Sequence, residues 1–194
     1  MSDHTHSERI NLSRQLLLAM PGKVMGSLAN TVIYVCEHTD QGALGLVINR
    51  PTDLTVGDLL KRLELPLSLE IGARENAPVF FGGPVQTDRG FVLHMPAHGY
   101  GSSIQLGDIA LTTSRDVLQD VAVGKGPEHL LVTLGYAGWG AGQLEEELAQ
   151  NAWLNVDASN QILFNMPPEE RYDAALASLG IKGAFMLSGD AGHA

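Results

Sequence analysis

The feature of this chain that most restricts its fold is a series of short runs of β-branched and aliphatic residues, each bounded by turn residues. Runs of this length and composition predict strands. Several of them come in adjacent pairs and do not alternate with helices, which favours an α+β fold with a mixed, mainly antiparallel sheet over a doubly wound parallel fold. The predicted strands cover residues 15–20, 31–38, 43–50, 78–83, 90–95, 102–107, 109–113, 129–137, 153–157 and 161–165.

Helix signals are fewer and better marked than the strand signals. Thr55 precedes a leucine-rich stretch and is followed three residues later by Asp58, which is a variant of the capping box. Another segment carries prolines and acids in its first turn and a glycine at its end. The predicted helices, about four in number, flank the sheet and span residues 55–65, 114–124, 143–152 and 167–180.

The length of 194 residues suits a single domain that buries a sizeable core. The chain contains no repeat of fixed period and no low-complexity linker. Residues 1–10 are polar and residues 188–194 are small and polar, so we expect a disordered N-terminus and a flexible C-terminal tail around one domain at 11–187. A single cysteine excludes a disulfide framework within the chain.

Charge and hydropathy restrict the class of partner. The formal net charge is −10, from 22 acidic against 12 basic residues, and lysine and arginine form no run. Proteins that bind duplex DNA by themselves normally present a basic face, so direct DNA binding is not expected. No apolar run approaches the roughly 20 residues of a membrane helix, and the N-terminus lacks the pattern of a secretory signal. We therefore expect a cytoplasmic protein that does not bind membranes.

The segment "GYAGWGAGQLEEEL" at 135–148 places several glycines before a predicted helix, as a phosphate-binding loop would. It lacks the lysine and hydroxyl residue of a Walker loop, and its spacing differs from that of a dinucleotide fold. Glu145 and its acidic neighbours occupy the first helical turns, where a bound anion would otherwise gain from the helix dipole. The sequence therefore favours a tight turn in which Trp139 packs over the strand or presents a face to a partner. The candidate interaction residues are Trp139, Gln143 and Glu145.

Two arginines follow predicted strands and are candidates for anion binding. Arg50 lies in "VINRP", and Arg89 follows the two glycines of "FFGGPVQTDRG". If the sheet brings these ends together, two guanidinium groups beside bare backbone amides suit a carboxylate or a phosphate. The alternative is that both arginines bind loop carbonyls and acids such as Asp53 and Asp88. The candidate ligand-binding residues are Asn49, Arg50, Gly82, Gly83 and Arg89.

Metal ligands and catalytic groups are poorly represented. Cys36 and His38 are two residues apart on a predicted strand, so both are expected on the same face. His94 and His98 are four apart, but Pro96 breaks the helix that would align them. No standard zinc pattern or nucleophile elbow is present, and a cysteine in a buried apolar strand disfavours its thiolate. We expect no metal and no cofactor, and the sequence leans towards a protein that is not an enzyme.

Taken together, the blocks of this sequence resemble the AlgH/YqgE family of bacterial proteins. The blocks "LLLAMPG", "VIYVCEH", "GALGLVINRP", "VFFGGPV", "GFVLH", "SSIQLGDIALTTSRDVL" and "GYAGWGAGQLEEELAQNAWL" occur in the family's order over about residues 11–180. One departure is "GKVMGSLAN" at 22–30, where Met25 and Leu28 stand in place of an aspartate and a phenylalanine. The hallmark blocks hold Asn49, Arg50, Pro51, Gly82, Gly83, Pro84, Gly138, Trp139, Gly142, Gln143 and Glu145.

The resemblance implies one mixed, bifurcated sheet that curls toward a pseudo-barrel with helices around it. It also implies a largely unassigned function, because no catalytic set can be carried over from the family. Some family members are named as transcriptional regulators of exopolysaccharide genes. We therefore expect a non-enzymatic regulator of gene expression that acts through a protein partner or a small ligand. The alternative is a small-anion or nucleotide-binding protein, or an enzyme, that uses a cleft near Arg50 and Arg89. The sequence does not indicate the oligomeric state.

The net charge gives a first testable prediction. The purified protein should bind duplex DNA no more tightly than the non-specific range of roughly 10⁻⁴ to 10⁻⁶ M at physiological salt, because its acidic surface repels phosphate. An electrophoretic mobility shift assay with promoter fragments from exopolysaccharide genes would measure this. Sequence-specific retention of a fragment by the protein alone would contradict the prediction.

Overall fold

The computed structural model describes residues 10–180. In that range the chain forms ten strands and four α-helices, together with short 3-10 and π-helical segments. The elements are β1 (Gln15–Ala19), β2 (Val32–Thr39), β3 (Gly42–Val47), β4 (Pro51–Thr55), α1 (Val56–Arg62), β5 (Pro78–Phe81), β6 (Val85–Met95), β7 (Ser103–Leu106), β8 (Ile109–Thr112), α2 (Asp116–Ala122), β9 (His129–Gly140), α3 (Gln143–Ala149), β10 (Trp153–Asp157) and α4 (Arg171–Ala177).

The sheet is mixed and mainly antiparallel, so the predicted fold class is confirmed. Its main path runs β10-β1-β2-β3-β9-β6-β8-β7, and the short strand β4 pairs only with β5. Every strand pair is antiparallel except β5 with β9, which is parallel. The four α-helices correspond to the four predicted helical segments, and α1 begins with the predicted capping box of Thr55 and Asp58.

The sheet divides at β9, which is the longest strand. One edge of β9 pairs with β6, whereas the other edge pairs first with β5 and then with β3. The parallel pairing ends at Leu134, and the pairing with β3 begins at Ala137. The change of partner between these two residues is the fork that makes the sheet bifurcated.

Glycines allow the backbones to meet at this fork. The Gly82 amide donates to the Leu134 carbonyl at 2.8 Å, and the Gly82 carbonyl accepts from the Val47 amide at 2.8 Å. A Cβ atom on Gly83 would lie 2.0 Å from the carbonyl carbon of Tyr136, and one on Gly135 would lie 2.3 Å from the Gly83 carbonyl oxygen. No side chain fits at these positions, because backbone atoms and not flexible side-chain ends fill the space.

The curled sheet encloses an interior core. Side chains from β1–β3 and from β6–β8 meet there, and Phe91 of β6 forms an edge-to-face contact with Tyr136 of β9 at 5.7 Å between ring centroids. A second core lies between the sheet and helices α1 and α2, and a third lies under α3. The sheet therefore separates the interior core from two smaller helix-covered cores, as a half-barrel does.

Helix α4 closes one end of the half-barrel. The Tyr172 hydroxyl donates to the Ala19 carbonyl at 2.6 Å, and the buried Arg171 guanidinium donates to the Ile48 carbonyl. Arg171 also lies over the Phe80 ring at 5.2 Å, and burial lowers its pKa to about 10. These contacts lie at the end of β1 and just beyond the end of β3. Strand β2 runs antiparallel to both, so it finishes at the opposite end of the half-barrel, which α4 leaves open.

Two sequence predictions differ from the structure. Residues 161–165 were expected to form a strand, but Gln161–Asn165 is a π-helical turn that buries Ile162 and Leu163 in the interior core. A short apolar run gives no periodicity that distinguishes a strand from a buried turn. Strand β4 was not expected, because its proline and polar residues are typical of a loop. The polar stretches at 1–9 and 188–194 lie outside the described residues.

A β-bulge in β2 overturns the expectation that Cys36 and His38 share a face. The register with β3 shifts between Val35 and Glu37, so Cys36 is the extra residue. Cys36 packs in the interior core, whereas His38 contacts Leu12 and the helix α3 on the opposite side of the sheet. The rule that residues two apart on a strand share a face fails here, because the bulge inserts one extra residue into β2.

The close backbone contact at the fork predicts that any side chain added at Gly83 strongly lowers the stability of the fold. Gly83→Ala should lower the free energy of unfolding by about 3 kcal/mol, the upper end of overpacking costs, because the added methyl group meets backbone atoms. Chemical denaturation monitored by circular dichroism would measure the change.

The matched control is Gly90→Ala in β6, where no atom lies within 4 Å of the added Cβ. That variant should stay within about 0.5 kcal/mol of the parent. Equal effects of the two substitutions would refute the role given to the fork.

Candidate functional site

The open end of the half-barrel holds a cavity of about 400 Å³, which we call the mouth cavity. Its position at a barrel mouth and its size are typical of small-molecule sites. The floor is apolar and belongs partly to the interior core, whereas the rim is polar. The floor consists of Cys36, Leu44, Phe91 and Leu111, and the rim consists of Glu37, Arg89, Ser102, Ser103, Ile104 and Thr113.

A second depression of about 440 Å³, the side groove, adjoins the mouth cavity. The two share Glu37 and Leu44 as lining residues, so they form one continuous concave surface across β2, β3 and β9. The side groove adds Tyr136, which also packs on the interior core, and several polar residues. Its lining consists of Glu37, Thr39, Gln41, Gly42, Ala43, Leu44, Val85, Tyr136, Gly138 and Trp139.

Arg89 is the cationic side chain of the mouth cavity. Its guanidinium lies over the Phe91 ring at 5.2 Å from the centroid, and Nη1 donates to the Gln86 side-chain oxygen at 3.3 Å. Within residues 10–180 no carboxylate lies within ion-pair distance of this guanidinium. The ring and the amide hold Arg89 in place, and most of its N–H groups remain available at the rim.

Arg50 has different surroundings from Arg89. Its guanidinium donates to the Ala29 carbonyl, which is the loop-binding role that the sequence analysis gave as the alternative. The adjacent Asn49 accepts from the Val32 amide at 2.9 Å and donates to the Asn30 carbonyl at 3.0 Å. Strands β5 and β9 separate β4 from β6 in the sheet, which corresponds to roughly 14 Å between the outer backbones. The structure therefore does not bring Arg50 and Arg89 into one cleft.

The glycines of the predicted ligand site lie inside the fork. Gly82 and Gly83 are both buried, and the Gly82 amide is already bonded to Leu134. Strand β9 covers the backbone of both glycines, which the sequence analysis expected to be available to a ligand. Both glycines therefore have a packing role. Arg89 is thus the one member of the predicted anion-binding set that lines the mouth cavity.

The glycine-rich segment forms a tight turn. Trp139 is 7% exposed and packs edge-to-face on Trp153 at 5.8 Å between ring centroids. The Gly140 amide donates to the Gln143 side-chain oxygen at 2.9 Å, and Gly142 adopts a left-handed conformation with φ of 75°. Gln143 therefore takes up a backbone amide that a phosphate-binding loop would present to its ligand.

Glu145 bonds to a histidine that the sequence analysis considered only as a metal ligand. The His38 side chain is fully buried, and its Nδ1 accepts from the Leu12 amide at 3.0 Å. Because Nδ1 accepts, the neutral ring carries its proton on Nε2, which donates to the Glu145 carboxylate. This contact joins β2, α3 and the chain before β1. His38 and Glu145 are 107 residues apart, so no local sequence pattern indicates that they pair.

A second buried histidine starts a chain of hydrogen bonds that joins strands β6, β8 and β7. His94 Nδ1 lies 2.9 Å from the Pro96 carbonyl, and Nε2 lies 2.7 Å from the Thr112 hydroxyl. The Thr112 hydroxyl is in turn 2.7 Å from the Ser103 hydroxyl, and both lie on the helix-covered face of the sheet, opposite the floor of the mouth cavity. Burial lowers the pKa of His94 and so favours its neutral form. The sequence singled out His94, but only the sheet pairing reveals that Thr112 is its hydroxyl partner.

Cys36 and the acidic residues do not form a reactive or metal-binding centre within residues 10–180. Burial raises the pKa of the Cys36 thiol well above its ordinary value, so the thiolate is disfavoured as the sequence predicted. In the described part of the chain, no cluster of three or more histidine, cysteine, aspartate or glutamate side chains is arranged to hold a metal ion. No helix in that part is long and apolar enough to cross a membrane.

Comparison with known proteins decides the family. The AlgH-like family model matches residues 16–184. The chain belongs to the AlgH-like family. A UPF0301 protein of Bordetella petrii is 66% identical over 192 residues, which cover 99% of this chain and 94% of that protein. A UPF0301 protein of Burkholderia cenocepacia is 54% identical over 191 residues, which cover 97% and 98% of the two chains.

Solved structures agree with this family and fold. The solution structure of the AlgH protein from Pseudomonas aeruginosa is 47% identical, covers 100% of both chains and superposes with a TM-score of 0.78. A crystal structure of a protein from Corynebacterium diphtheriae has a TM-score of 0.71 at 15% identity and covers 88% of each chain, so it shows the fold alone. The AlgH-like members share the half-barrel, and the family by itself assigns no activity.

The His38–Glu145 contact predicts a structural role for Glu145. Glu145→Ala should lower the free energy of unfolding by about 1–3 kcal/mol, because the buried imidazole N–H loses its charged acceptor. Glu146→Ala removes a carboxylate from the exposed face of the same helix and should stay within about 0.5 kcal/mol of the parent. Denaturant unfolding of both variants at neutral pH measures the difference, and equal stabilities would contradict the proposed bond.

Proposed function

We propose that this AlgH-like protein binds a small organic molecule in the mouth cavity and acts as a ligand-responsive regulator. The observation that carries the proposal is the cavity itself, which joins an apolar floor to a mostly polar rim at the open end of the half-barrel. Small-molecule sites combine these features, with many apolar contacts for affinity and a few polar groups for orientation.

The chemistry of the lining favours an organic anion. Cys36, Leu44 and Phe91 offer apolar surface at the floor, where burial of a ligand's hydrocarbon part is favourable. Arg89 offers a guanidinium that has no carboxylate within ion-pair distance in residues 10–180 and suits a carboxylate, sulfonate or phosphate group. This proposal retains the anion-binding alternative of the sequence analysis, with Arg89 in place of the pair of arginines.

The side groove extends the site beyond a single small ion. Its aromatic and polar lining continues from the mouth cavity past Glu37 and Leu44. A ligand with its anionic group at Arg89 and an apolar body over Leu44 could continue toward Tyr136. The combined shape fits a molecule larger than phosphate or acetate.

A regulatory role through this ligand or through a protein partner suits the chain better than direct contact with DNA. The net charge of −10 opposes phosphate neutralisation. The proposed site lies on a concave sheet surface, whereas helix-turn-helix proteins read DNA with an exposed helix. Ligand occupancy would change the surface formed by the rim, and a protein partner could respond to that change.

A fluorescent amphipathic anion tests the site directly. Anilinonaphthalene sulfonate combines an apolar ring system with a sulfonate, so it should bind the native protein at one saturable site. Arg89→Gln should weaken this binding about 10-fold, because a charge-assisted contact at a partly exposed site is lost. Fluorescence titration measures the affinity.

The matched control for charge is Arg62→Gln, which removes an exposed arginine from α1 outside the cavity. It should bind the dye like the parent. Circular dichroism and a thermal melt establish that each variant is folded, since partly unfolded proteins also bind this dye. Absence of saturable binding to the native protein, or equal losses in both arginine variants, would refute the proposed anion site.

A further inference from the structure

We propose that a crevice beside the start of α4 binds a small apolar carboxylate, with Arg171 as the group that pairs with the carboxylate oxygens. The crevice has a volume of about 200 Å³. It shares no lining residue with the mouth cavity in the described part of the chain, because it lies at the closed end of the half-barrel. The inference is therefore independent of the proposed function. A buried guanidinium at the wall of an otherwise apolar space carries the argument.

The crevice follows from the short pairing between β5 and β9, which begins only at Phe80 and Thr133. The Gly82 amide donates to β9, and backbone amides two residues apart on a strand point to the same side. The amide position of Pro78 would therefore face β9, but a proline has no N–H to donate, so the ladder does not extend to it. Apolar residues line the space that remains, among them Pro78, Phe80, Leu131, Leu163 and Phe164.

Arg171 is the only polar residue that lines the crevice within residues 10–180. It is 5% exposed, and three contacts hold its side chain. Nε donates to the Met166 carbonyl at 3.0 Å, Nη1 donates to the Ile48 carbonyl, and the guanidinium carbon lies 5.2 Å from the centroid of the Phe80 ring. These contacts fix the guanidinium at the wall of the crevice.

The guanidinium keeps hydrogen-bond donors for a ligand. Nη2 carries two of the five N–H groups of an arginine, and it forms no hydrogen bond within residues 10–180. In that part of the chain, the buried side-chain atoms that lack a partner belong to other residues, so a molecule that enters from solvent can meet Nη2.

The positive charge of Arg171 is not paired with a carboxylate. Within residues 10–180 no carboxylate lies within ion-pair distance of its guanidinium. Burial lowers the pKa of Arg171 to about 10, although the exposed Glu169 opposes this shift, so the guanidinium remains charged at neutral pH. A charge that is removed from water is costly unless it is paired. Two carbonyls and a ring offer Arg171 only partial charges, so a ligand carboxylate would complete the site.

The size and the lining of the crevice select the class of ligand. An apolar cavity of about 150 Å³ binds benzene, so this crevice accommodates a compact ring or branched chain that carries one carboxylate. A guanidinium matches the planar carboxylate group. Phosphate fits less well, because it carries more charge and one guanidinium leaves most of its oxygens against apolar residues. The crevice therefore favours a monocarboxylate such as benzoate.

Benzoate is the probe, and methyl NMR at constant ionic strength locates it. The methyl signals of Leu131 and Leu163 report on the crevice, whereas those of Leu44 and Leu111 report on the mouth cavity. We expect benzoate to shift the signals of Leu131 and Leu163 along one saturable curve, with NOE contacts from its ring protons to those methyl groups. Shifts confined to Leu44 and Leu111, or no saturable shift at all, would overturn the inference.

Two analogues of benzoate test its charge and its ring without any change to the protein. Benzamide has a similar shape but no charge, and acetate has the charge but no ring. Each should bind the crevice at least about 10-fold more weakly than benzoate, because one loses the charge-assisted hydrogen bonds and the other loses the apolar contacts. Equal affinities of benzoate and benzamide would refute the pairing with Arg171.

A pair of arginine variants tests the guanidinium. Arg171→Gln should weaken benzoate binding at least about 10-fold, whereas Arg62→Gln, at an exposed position of α1, should bind benzoate like the parent. Thermal melts establish that each variant is folded, since Arg171→Gln also removes donors from the Ile48 and Met166 carbonyls. If Arg171→Gln does not fold, the comparison of benzoate with benzamide on the parent protein decides. A folded Arg171→Gln variant that binds benzoate like the parent would overturn the inference.

The outcomes separate this inference from the proposed binding function. Saturable dye binding without benzoate shifts at the crevice would overturn the carboxylate site at Arg171 and leave the anion site of the mouth cavity intact. Benzoate binding at the crevice without dye binding would support the site at Arg171 and refute the anion site at Arg89. Benzoate shifts at both places, with discrimination against benzamide at the crevice, would support both sites.

Discussion

The contact on which the rest of the structure depends is the backbone-to-backbone approach at the fork of the sheet. Gly82 and Gly83 lie against Gly135 and Tyr136 so closely that no Cβ atom fits between them. This approach lets one edge of β9 pair with β5 and then with β3. Because this edge changes partner, β5 and β3 both attach to the same side of β9, and the sheet becomes bifurcated.

The two ends of the half-barrel differ because different groups cover them. At one end, Tyr172 and Arg171 of α4 donate to the carbonyl of Ala19, at the end of β1, and to that of Ile48, just beyond β3, and so close the core. At the other end, the hairpin that joins β2 to β3 lies near Glu37 and Leu44, and the mouth cavity opens onto the interior core. Apolar core side chains therefore meet a polar rim there, and Arg89 of β6 lines the same cavity as Glu37 of β2.

The two buried histidines of the sheet are held by specific partners. His38 accepts from a backbone amide and donates to Glu145, whereas His94 donates to a carbonyl and accepts from Thr112. The two rings thus hold opposite tautomers, each fixed by a backbone group. In the first case the chain of bonds ends at a surface helix and stabilises packing. In the second case the chain of bonds joins β6, β8 and β7 on the face of the sheet that α1 and α2 cover.

The sequence by itself determined the fold class, the four α-helices, the tight turn before α3 and the family, because these depend on local patterns such as the capping box at Thr55 and on contiguous blocks. It placed Arg89 among the candidate site residues but paired it with Arg50, which binds the loop at Ala29. The bulge at Cys36, the His38–Glu145 bond and the Ser103–Thr112–His94 chain were decided by the tertiary structure alone. They depend on strand register and on partners up to 107 residues apart, and no local pattern encodes which distant strand will lie alongside.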